Sequence, residues 1–396
     1  MSGAVSGAVS GAVSGLPVPS QEARVCGQPG AGLYIHVPFC EKKCPYCDFY
    51  SLGFSEEQIN VYTKCIIDKI YNDYSIREPG SVYFGGGTPS LLGAENLARI
   101  LKAVRTCWGL SCAAEVTVEV NPGREWASFF EILSQHGVNR VSIGLQSAHT
   151  VELERLGRRH SVRQVAETVR AARRAGIGNL SLDLMLGIPE QTGTSLRESI
   201  AFCAGLDVQH VSAYLLKIEP GTVFDRQRKT LLLPDEETVC TLYETACEEL
   251  ERRGYRQYEI SNFAHPGFES RHNLKYWRCE EYLGLGPSAH SFLNGRRFYF
   301  PRSLKGFLSG GMPVDDGPGG DAEEYVLLAL RLAEGLQAAD FRARYGGPLP
   351  AGLVRKAAVL ARAGFCTVDE TGVRLTRKGF LLSNEVIAGL LCAAGF

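Results

Sequence analysis

The sequence has no run of eighteen uncharged apolar residues, which argues against a membrane span. It has no excess of charge of either sign: 42 Lys and Arg stand against 43 Asp and Glu, a net −1. A broad electrostatic footprint for nucleic acid is therefore not evident, and no nucleic-acid partner is expected. No secretory signal is visible. The 13 cysteines are odd in number and dilute in a chain of 396 residues, which disfavours a disulfide scaffold. Most stand singly in helix-like stretches (Cys65, Cys203, Cys240, Cys247), where a free thiol behaves as a small buried hydrophobe. A reducing, intracellular compartment is the better reading.

What is present is an ordinary globular balance, with 45% hydrophobic and 21% charged residues. That supplies a sizeable core and excludes wholesale disorder. The length suits one large domain plus a small one. The 44 glycines, one residue in nine, exceed the usual ~7% and point to tight turns or loops where backbone approaches a ligand. Residues 2–13 read SGAV three times. Such small, weakly hydrophobic repeats cannot bury enough surface to order themselves, so residues 1–30 are expected to form a flexible tail. This segment has no acid before Glu22, as in a mitochondrial transit peptide, but also no arginine before Arg24. A cytoplasmic location is favoured, with a mitochondrial one as the alternative.

After the tail, short apolar runs alternate with amphipathic stretches. Strands are predicted at Gly32–Val37, Ser81–Phe84, Glu115–Val120, Arg140–Leu145, Leu180–Leu186 and Gln209–Leu216. Helices are predicted between them, with Ser55/Gln58 and Ser161/Gln164 as capping boxes over Ser55–Ile76 and Ser161–Ala175. One helix starts at Thr194 or Ser195, and a long one runs over Asp235–Arg253. Six strand–helix units in succession argue for a parallel sheet with right-handed crossovers. Periodicity does not say whether that sheet closes. The expected domains are an α/β body over residues 31–255, an aromatic- and Gly-rich extension over 256–320, and a C-terminal unit over 321–396. Gln257–Phe263 reads as one more strand, and Met312–Asp321 as a linker. The last unit is helical with a hairpin signal at Cys366–Val368 and Val373–Leu375, which resembles a winged helix.

One cysteine cluster stands apart. Cys40-x3-Cys44-x2-Cys47 follows directly on the first strand, at the sheet edge where α/β folds bind ligands. Three soft thiolates in eight residues suit zinc or an iron–sulfur cluster. A closed zinc site needs four ligands, and no second Cys pair follows nearby, although His36 or a distant Cys could complete one. On a cubane, three ligands leave one iron open to a chelating guest. Gly85-Gly86-Gly87 after the second strand, and Glu119, Gln146 and Asp183 near the ends of the next three, form the pattern a shared pocket requires.

Cys-x3-Cys-x2-Cys with Tyr46 before the last cysteine resembles the signature of the radical S-adenosylmethionine (SAM) superfamily. The likeness runs over about residues 31–395. Within it the chain is similar to the oxygen-independent coproporphyrinogen III dehydrogenases and, more closely, to the HemW-type heme chaperones. The motifs are Tyr34-Ile-His36-Val-Pro38-Phe-Cys40, Tyr83-Phe-Gly-Gly-Gly-Thr88-Pro89, Gly144-Leu-Gln146-Ser147 and Arg271-His-Asn-Leu-Lys-Tyr-Trp277. The resemblance implies a partial (β/α)6 barrel with a smaller mixed α/β C-terminal domain. It implies a [4Fe–4S] cluster on Cys40, Cys44 and Cys47, tuned to low potential by charge, hydrogen bonds and exposure. It further implies a SAM site drawn from Tyr34, Tyr46, Gly86, Gly87, Thr88, Glu119, Gln146, Arg158 and Asp183, with Lys217 a loose match of different residue type. Arg159 is the neighbour that competes with Arg158. In such families SAM cleavage yields methionine and a 5′-deoxyadenosyl radical, the cofactor supplying the hard step.

The chain departs from the dehydrogenases at Phe49, where they carry a further cysteine and the heme chaperones do not. His272-Asn273-x2-Tyr276-Trp277 resembles the HNxxYW motif implicated in heme binding by those chaperones. His272 is then the candidate axial ligand and Trp277 a flat face for the macrocycle. The expectation is a chaperone that holds heme and passes it to membrane-associated respiratory acceptors. Cluster reduction calls for an electron donor, and self-association as a homodimer is a further expectation. The alternatives are a coproporphyrinogen dehydrogenase or another radical SAM enzyme.

Overall fold

The computed structural model describes residues 25–27, 30–123 and 126–396. Six strands follow one another in the sheet in chain order and run parallel: β1 (Gly32–Val37), β2 (Ser81–Gly86), β3 (Glu115–Val120), β4 (Arg140–Gln146), β5 (Asn179–Leu186) and β6 (His210–Leu215). Between and after them lie α1 (Glu56–Asn72), α2 (Ala94–Trp108), α3 (Ala127–Gln135), α4 (Val162–Arg174), α5 (Gly193–Gly205) and α6 (Glu236–Arg252). The six strand–helix units form the parallel sheet expected of them, and the whole is the α/β partial barrel that the resemblance implied, with the smaller mixed α/β unit at its C-terminal end.

Alternation along the strands explains how the sheet holds a site. One face of β1 to β4 carries Leu33, Ile35, Val37, Val82, Phe84, Val116, Val118, Val120, Val141, Ile143 and Leu145, all buried in the helix–sheet core. The other face carries Tyr34, His36, Ser81, Tyr83, Glu115, Thr117, Glu119, Arg140, Ser142 and Gln146. Strands of a parallel sheet packed on both faces are normally apolar throughout. Here period-two alternation sets a polar inner face against an apolar outer one.

Both predicted capping boxes form, at Ser55/Gln58 on α1 and Ser161/Gln164 on α4. A third was missed: α5 is capped by Thr192 with Ser195, so it starts before the predicted residues. The helix predicted to Ile76 stops at Asn72, and Tyr74–Ile76 is a strand paired in parallel with Val25–Gly27. Tyr74 and Ile76, aromatic and β-branched, favour that pairing over a further helical turn. Val25–Gly27 also corrects the expected tail at that point; the rest of residues 1–30, apart from Gly30, lies outside the described residues.

The extension over residues 256–320 continues the sheet at both edges. β7 (Asn262–Ala264) runs antiparallel to β6, and Arg256–Gln257 pairs with it, so the single strand predicted over Gln257–Phe263 is two short ones. After α7 (Arg271–Trp277), β8 (Tyr282–Leu285) adds in parallel to β1. β9 (His290–Leu293), β10 (Arg296–Tyr299) and β11 (Val314–Pro318) then complete a 12-stranded sheet. β11 occupies the stretch read as a linker. Pro318 is tolerated there because an edge strand needs no N–H on its free side.

The C-terminal unit holds the predicted hairpin, Cys366–Asp369 with Gly372–Leu375, joined by Leu336–Gln337 and flanked by helices. It is tied to the body through Ile260 N–H to Arg331 O (3.1 Å) and Ala333 N–H to Tyr258 O (2.9 Å). Among the described residues no helix is long and apolar enough to cross a membrane.

Candidate functional site

The cysteine loop leaves β1 and is folded back on the barrel mouth. Cys40 N–H donates to Leu52 O, and Cys47 N–H to Cys44 O. All three thiols are half-buried and unbridged. Burial and the adjacent Cys44 and Cys40 thiolates push the Cys47 thiol up. No three His, Cys, Asp or Glu side chains among the described residues converge as one metal ion requires. A cubane gives each thiolate its own iron corner and takes a wider spacing. The donor set, three soft sulfurs on one partly exposed loop, fits an iron–sulfur cluster. His36, the rival zinc ligand, is engaged elsewhere: its Nε2 donates to Tyr50 O (2.9 Å), and Tyr34 OH lies 3.1 Å from Nδ1. Burial holds this imidazole down to about 4, so Nδ1 accepts and Tyr34 donates.

The glycine triplet has a structural reason that the sequence did not disclose. A Cβ on Gly86 would sit 2.6 Å from the His36 ring, and one on Gly87 2.6 Å from Phe39 O. Gly86 also has φ +104°. The atoms that exclude a side chain at these positions are thus the protein's own. Gly87 N–H and Thr88 N–H donate to Val37 O and Phe39 O (2.8 Å each), which pins the turn to the start of the cysteine loop.

Beside the loop runs a chain of polar groups. Thr88 Oγ1 lies 3.5 Å from Cys40 Sγ and accepts from Asn121 Nδ2 at 3.0 Å. Arg158 Nη1 donates to Asn121 Oδ1 (2.8 Å), while its Nε and Nη2 donate to Tyr46 OH (3.1 and 2.7 Å). Tyr46 packs on Phe224, which belongs with Leu156 and Ile188 to a small apolar cluster of its own. Arg158 is therefore the arginine built into the loop's support. Arg159 is exposed and lines the outer side of a cleft of about 200 Å³ with Cys44, Thr88, Asn121, Arg158 and His160.

Deeper on the inner face, Tyr83 OH donates to Glu119 Oε1 (2.8 Å), and burial raises the Glu119 carboxyl to about 7. Ser142 Oγ donates to Asp183 (3.0 Å), whose carboxyl burial also pushes up. Gln146, at the end of β4, is buried with φ +68° and sits beside Gly144. Tyr34, Tyr83 and Glu119 crowd the Cα of Gly85 at 3.0–3.1 Å from an added Cβ. The expected SAM residues thus share one barrel face and mouth, except Lys217, which is exposed and paired with Glu219 (2.8 Å). Sequence reasoning missed Asn121, Tyr83 and Ser142. Their signal was there: Asn121 stands two residues past Glu119 and Tyr83 two before Gly85, hence on the same face.

His272 lies elsewhere. It enters the barrel from the opposite end, at the start of β2, where its Nδ1 is 2.8 Å from Ser81 Oγ and its Nε2 2.8 Å from Tyr276 OH. It stacks on Tyr83 and Tyr34 and is 1% exposed. Burial drops its pKa to about 3, so the ring is neutral, and both nitrogens are engaged. Glu115 accepts from Arg271 N–H and His272 N–H (2.9 and 3.0 Å), capping α7 as a plug in the barrel floor. Neither ring nitrogen of His272 is free for a heme iron in this arrangement. Trp277 is half-buried, with the Arg331 guanidinium 6.0 Å from its ring.

Comparison with known proteins bears on this geometry. Residues 34–203 match the Radical SAM superfamily model, and residues 321–382 match the HemN C-terminal domain. In fold the chain is similar to a solved structure of coproporphyrinogen III oxidase (HemN) from Escherichia coli, with a TM-score of 0.77 at 22% identity, over 93% of this chain and 90% of that one. A three-cysteine loop on a parallel partial barrel of this kind defines a radical SAM protein. A protein named heme chaperone HemW from Bacillus subtilis is 36% identical over 374 residues, covering 90% of this chain and 98% of that one. HemW from Escherichia coli is 38% identical over 71% of this chain and 76% of that one. A Bos taurus protein, radical S-adenosyl methionine domain-containing protein 1, mitochondrial, is 41% identical over 67% of this chain and 61% of that one. The chain belongs to the HemW family.

Proposed function

We propose that this protein is a heme chaperone that carries a SAM-liganded [4Fe–4S] cluster, binds heme and passes it to acceptor proteins. The observation that carries the reading is the cysteine loop: three thiols at the barrel mouth, backed by a continuous polar network, with Phe49 in place of a further cysteine. The relatives bearing the heme-chaperone name support the heme half of it.

On this reading Cys40, Cys44 and Cys47 hold the cluster, and SAM lies over the mouth against Tyr34, Gly86, Gly87, Thr88, Glu119, Gln146, Arg158 and Asp183. When bound and reduced, the cluster supplies one-electron chemistry at the SAM sulfonium. The protein's own residues do the rest. Gly86 and Gly87 bring the β2 turn against the loop without a Cβ in the way. Arg158, half-buried and still charged, sets a fixed positive group beside the mouth, where a carboxylate is the natural partner. Asp183 suits ribose hydroxyls, and Tyr46 anchors Arg158. His272 serves heme iron only after Ser81 or Tyr276 releases a ring nitrogen. Membrane-associated respiratory acceptors, a separate electron donor, a homodimer and a cytoplasmic site, or else a mitochondrial one, complete the proposal.

Anaerobic incubation with coproporphyrinogen III, SAM and reductant is expected to give no protoporphyrinogen IX, while heme titration gives a saturable Soret change. Robust turnover without heme binding favours the dehydrogenase alternative and defeats the proposal.

A further inference from the structure

The turn after β2 and the loop that carries Arg158 are linked, at the end of β3, by a side chain that none of the expected ligands includes. Asn121 stands just beyond β3, between Thr88 after β2 and Arg158. Its amide has only one orientation open to it. A guanidinium donates and never accepts, so the oxygen must be the atom facing Arg158 Nη1 at 2.8 Å. The Nδ2 group then faces Thr88 Oγ1 at 3.0 Å and donates to it. Flipping the amide would oppose donor to donor at the first contact.

That fixes the next link. A hydroxyl whose lone pair takes the Asn121 N–H has its single proton left over, and the neighbour at 3.5 Å is Cys40 Sγ. As a cluster ligand Cys40 is a thiolate, which accepts only. Every donor therefore points one way, from Arg158 through Asn121 and Thr88 to Cys40. The start of the line is anchored by Tyr46 on the same cysteine loop, and Gly144 leaves the room: an added Cβ there would lie 3.2 Å from Asn121 Oδ1.

We propose that Asn121 is a positioning residue that directs the Thr88 hydroxyl onto the Cys40 thiolate and so sets the reduction potential of the cluster held there. The inference rests on the cluster assigned under the proposed function. Hydrogen bonds to the sulfurs of an iron–sulfur cluster are among the features that set its potential. A donor on a thiolate draws negative charge from it and makes the reduced cluster easier to form. Without Asn121 the Thr88 hydroxyl is free to rotate away, and the potential falls.

The test is the midpoint potential of the reconstituted full-length protein, followed by EPR of the reduced cluster, for wild type, Asn121→Ala, Thr88→Val and the double variant. Asn121→Ala and Thr88→Val should each lower the reduced-to-oxidised ratio at a fixed solution potential by about tenfold, which is about 59 mV for a one-electron couple. The double variant should match Thr88→Val alone, because Asn121 then has no hydroxyl to direct. Wild-type potentials in both single variants, or an undiminished Asn121→Ala shift in the Thr88→Val background, would overturn the proposal. Should Asn121→Ala fail to hold a cluster, Thr88→Ser and Thr88→Val decide: serine keeps the donor and the potential, valine loses both, and equal potentials refute the relay. A wild-type protein that assembles no cluster refutes the cluster assignment, a separate result.

Discussion

Ser81 and His272, 191 residues apart in the chain, meet at 2.8 Å inside the barrel floor. The contact ties the first residue of β2 to α7 and closes the barrel at the end away from the cysteines. His272→Ala removes two hydrogen bonds, one of them fully buried, and leaves a cavity beneath Tyr83, which should cost about 2–5 kcal/mol of stability. Thermal unfolding should show a clear drop in Tm, and heme titration well below that Tm should show weakened binding. Ser81→Ala separates the two roles: it loosens the plug yet keeps the imidazole, so it should lower Tm while heme still binds. Unchanged heme binding by folded His272→Ala removes His272 from the heme site.

Arg158 and Arg159 part company by geometry. Arg158→Lys cannot keep the Tyr46 and Asn121 contacts together, because a lysine lacks the planar fork. SAM affinity of the cluster-loaded protein should weaken about 10–100-fold, on the order of 1.4–2.8 kcal/mol. Arg159→Lys should leave it unchanged. Calorimetry under anaerobic conditions checks both, and equal losses would contradict the assignment.

Gly86→Ala places a methyl 2.6 Å from the His36 ring at φ +104°. Both effects oppose folding of the turn that carries Thr88, at roughly 1–3 kcal/mol for the backbone alone. The variant should have a lower Tm and less iron per chain after reconstitution. Wild-type values for both would show that the turn is not under this constraint.

Glu259 is fully buried beside the join to the C-terminal unit, and burial raises its carboxyl to about 7, only partly offset by the N–H groups that follow it. Its folded pKa lies above the unfolded one, so its contribution is most favourable below about 4.5 and is lost as pH rises through about 7. Glu259→Gln removes that penalty. Its Tm relative to wild type should increase from pH 5 to pH 8, by the equivalent of up to about 3 kcal/mol. A difference that stays flat or falls across that range would contradict the assignment.

What the sequence alone disclosed followed local rules. The Ser55 and Ser161 caps, the alternation of β1 to β6 and the spacing of Cys40, Cys44 and Cys47 are all encoded within a few residues. What could not be read depends on register between distant strands. That Asn121 touches both Thr88 and Arg158, or that His272 returns to Ser81, follows from strand order and a helix plug rather than from any short pattern. The edge strand at Val314–Pro318 was hidden for another reason: its Pro, Gly and Asp content is that of a loop, and only pairing with β10 makes it a strand.

The most direct measurement is Mössbauer spectroscopy of the full-length protein, reconstituted anaerobically with iron-57 and sulfide, with and without SAM. The account predicts a [4Fe–4S] signal in which one iron of four changes its parameters when SAM is added, and which is lost when Cys40, Cys44 and Cys47 are all replaced by alanine. A protein that takes up no such cluster, or one whose four irons are unaltered by SAM, contradicts it.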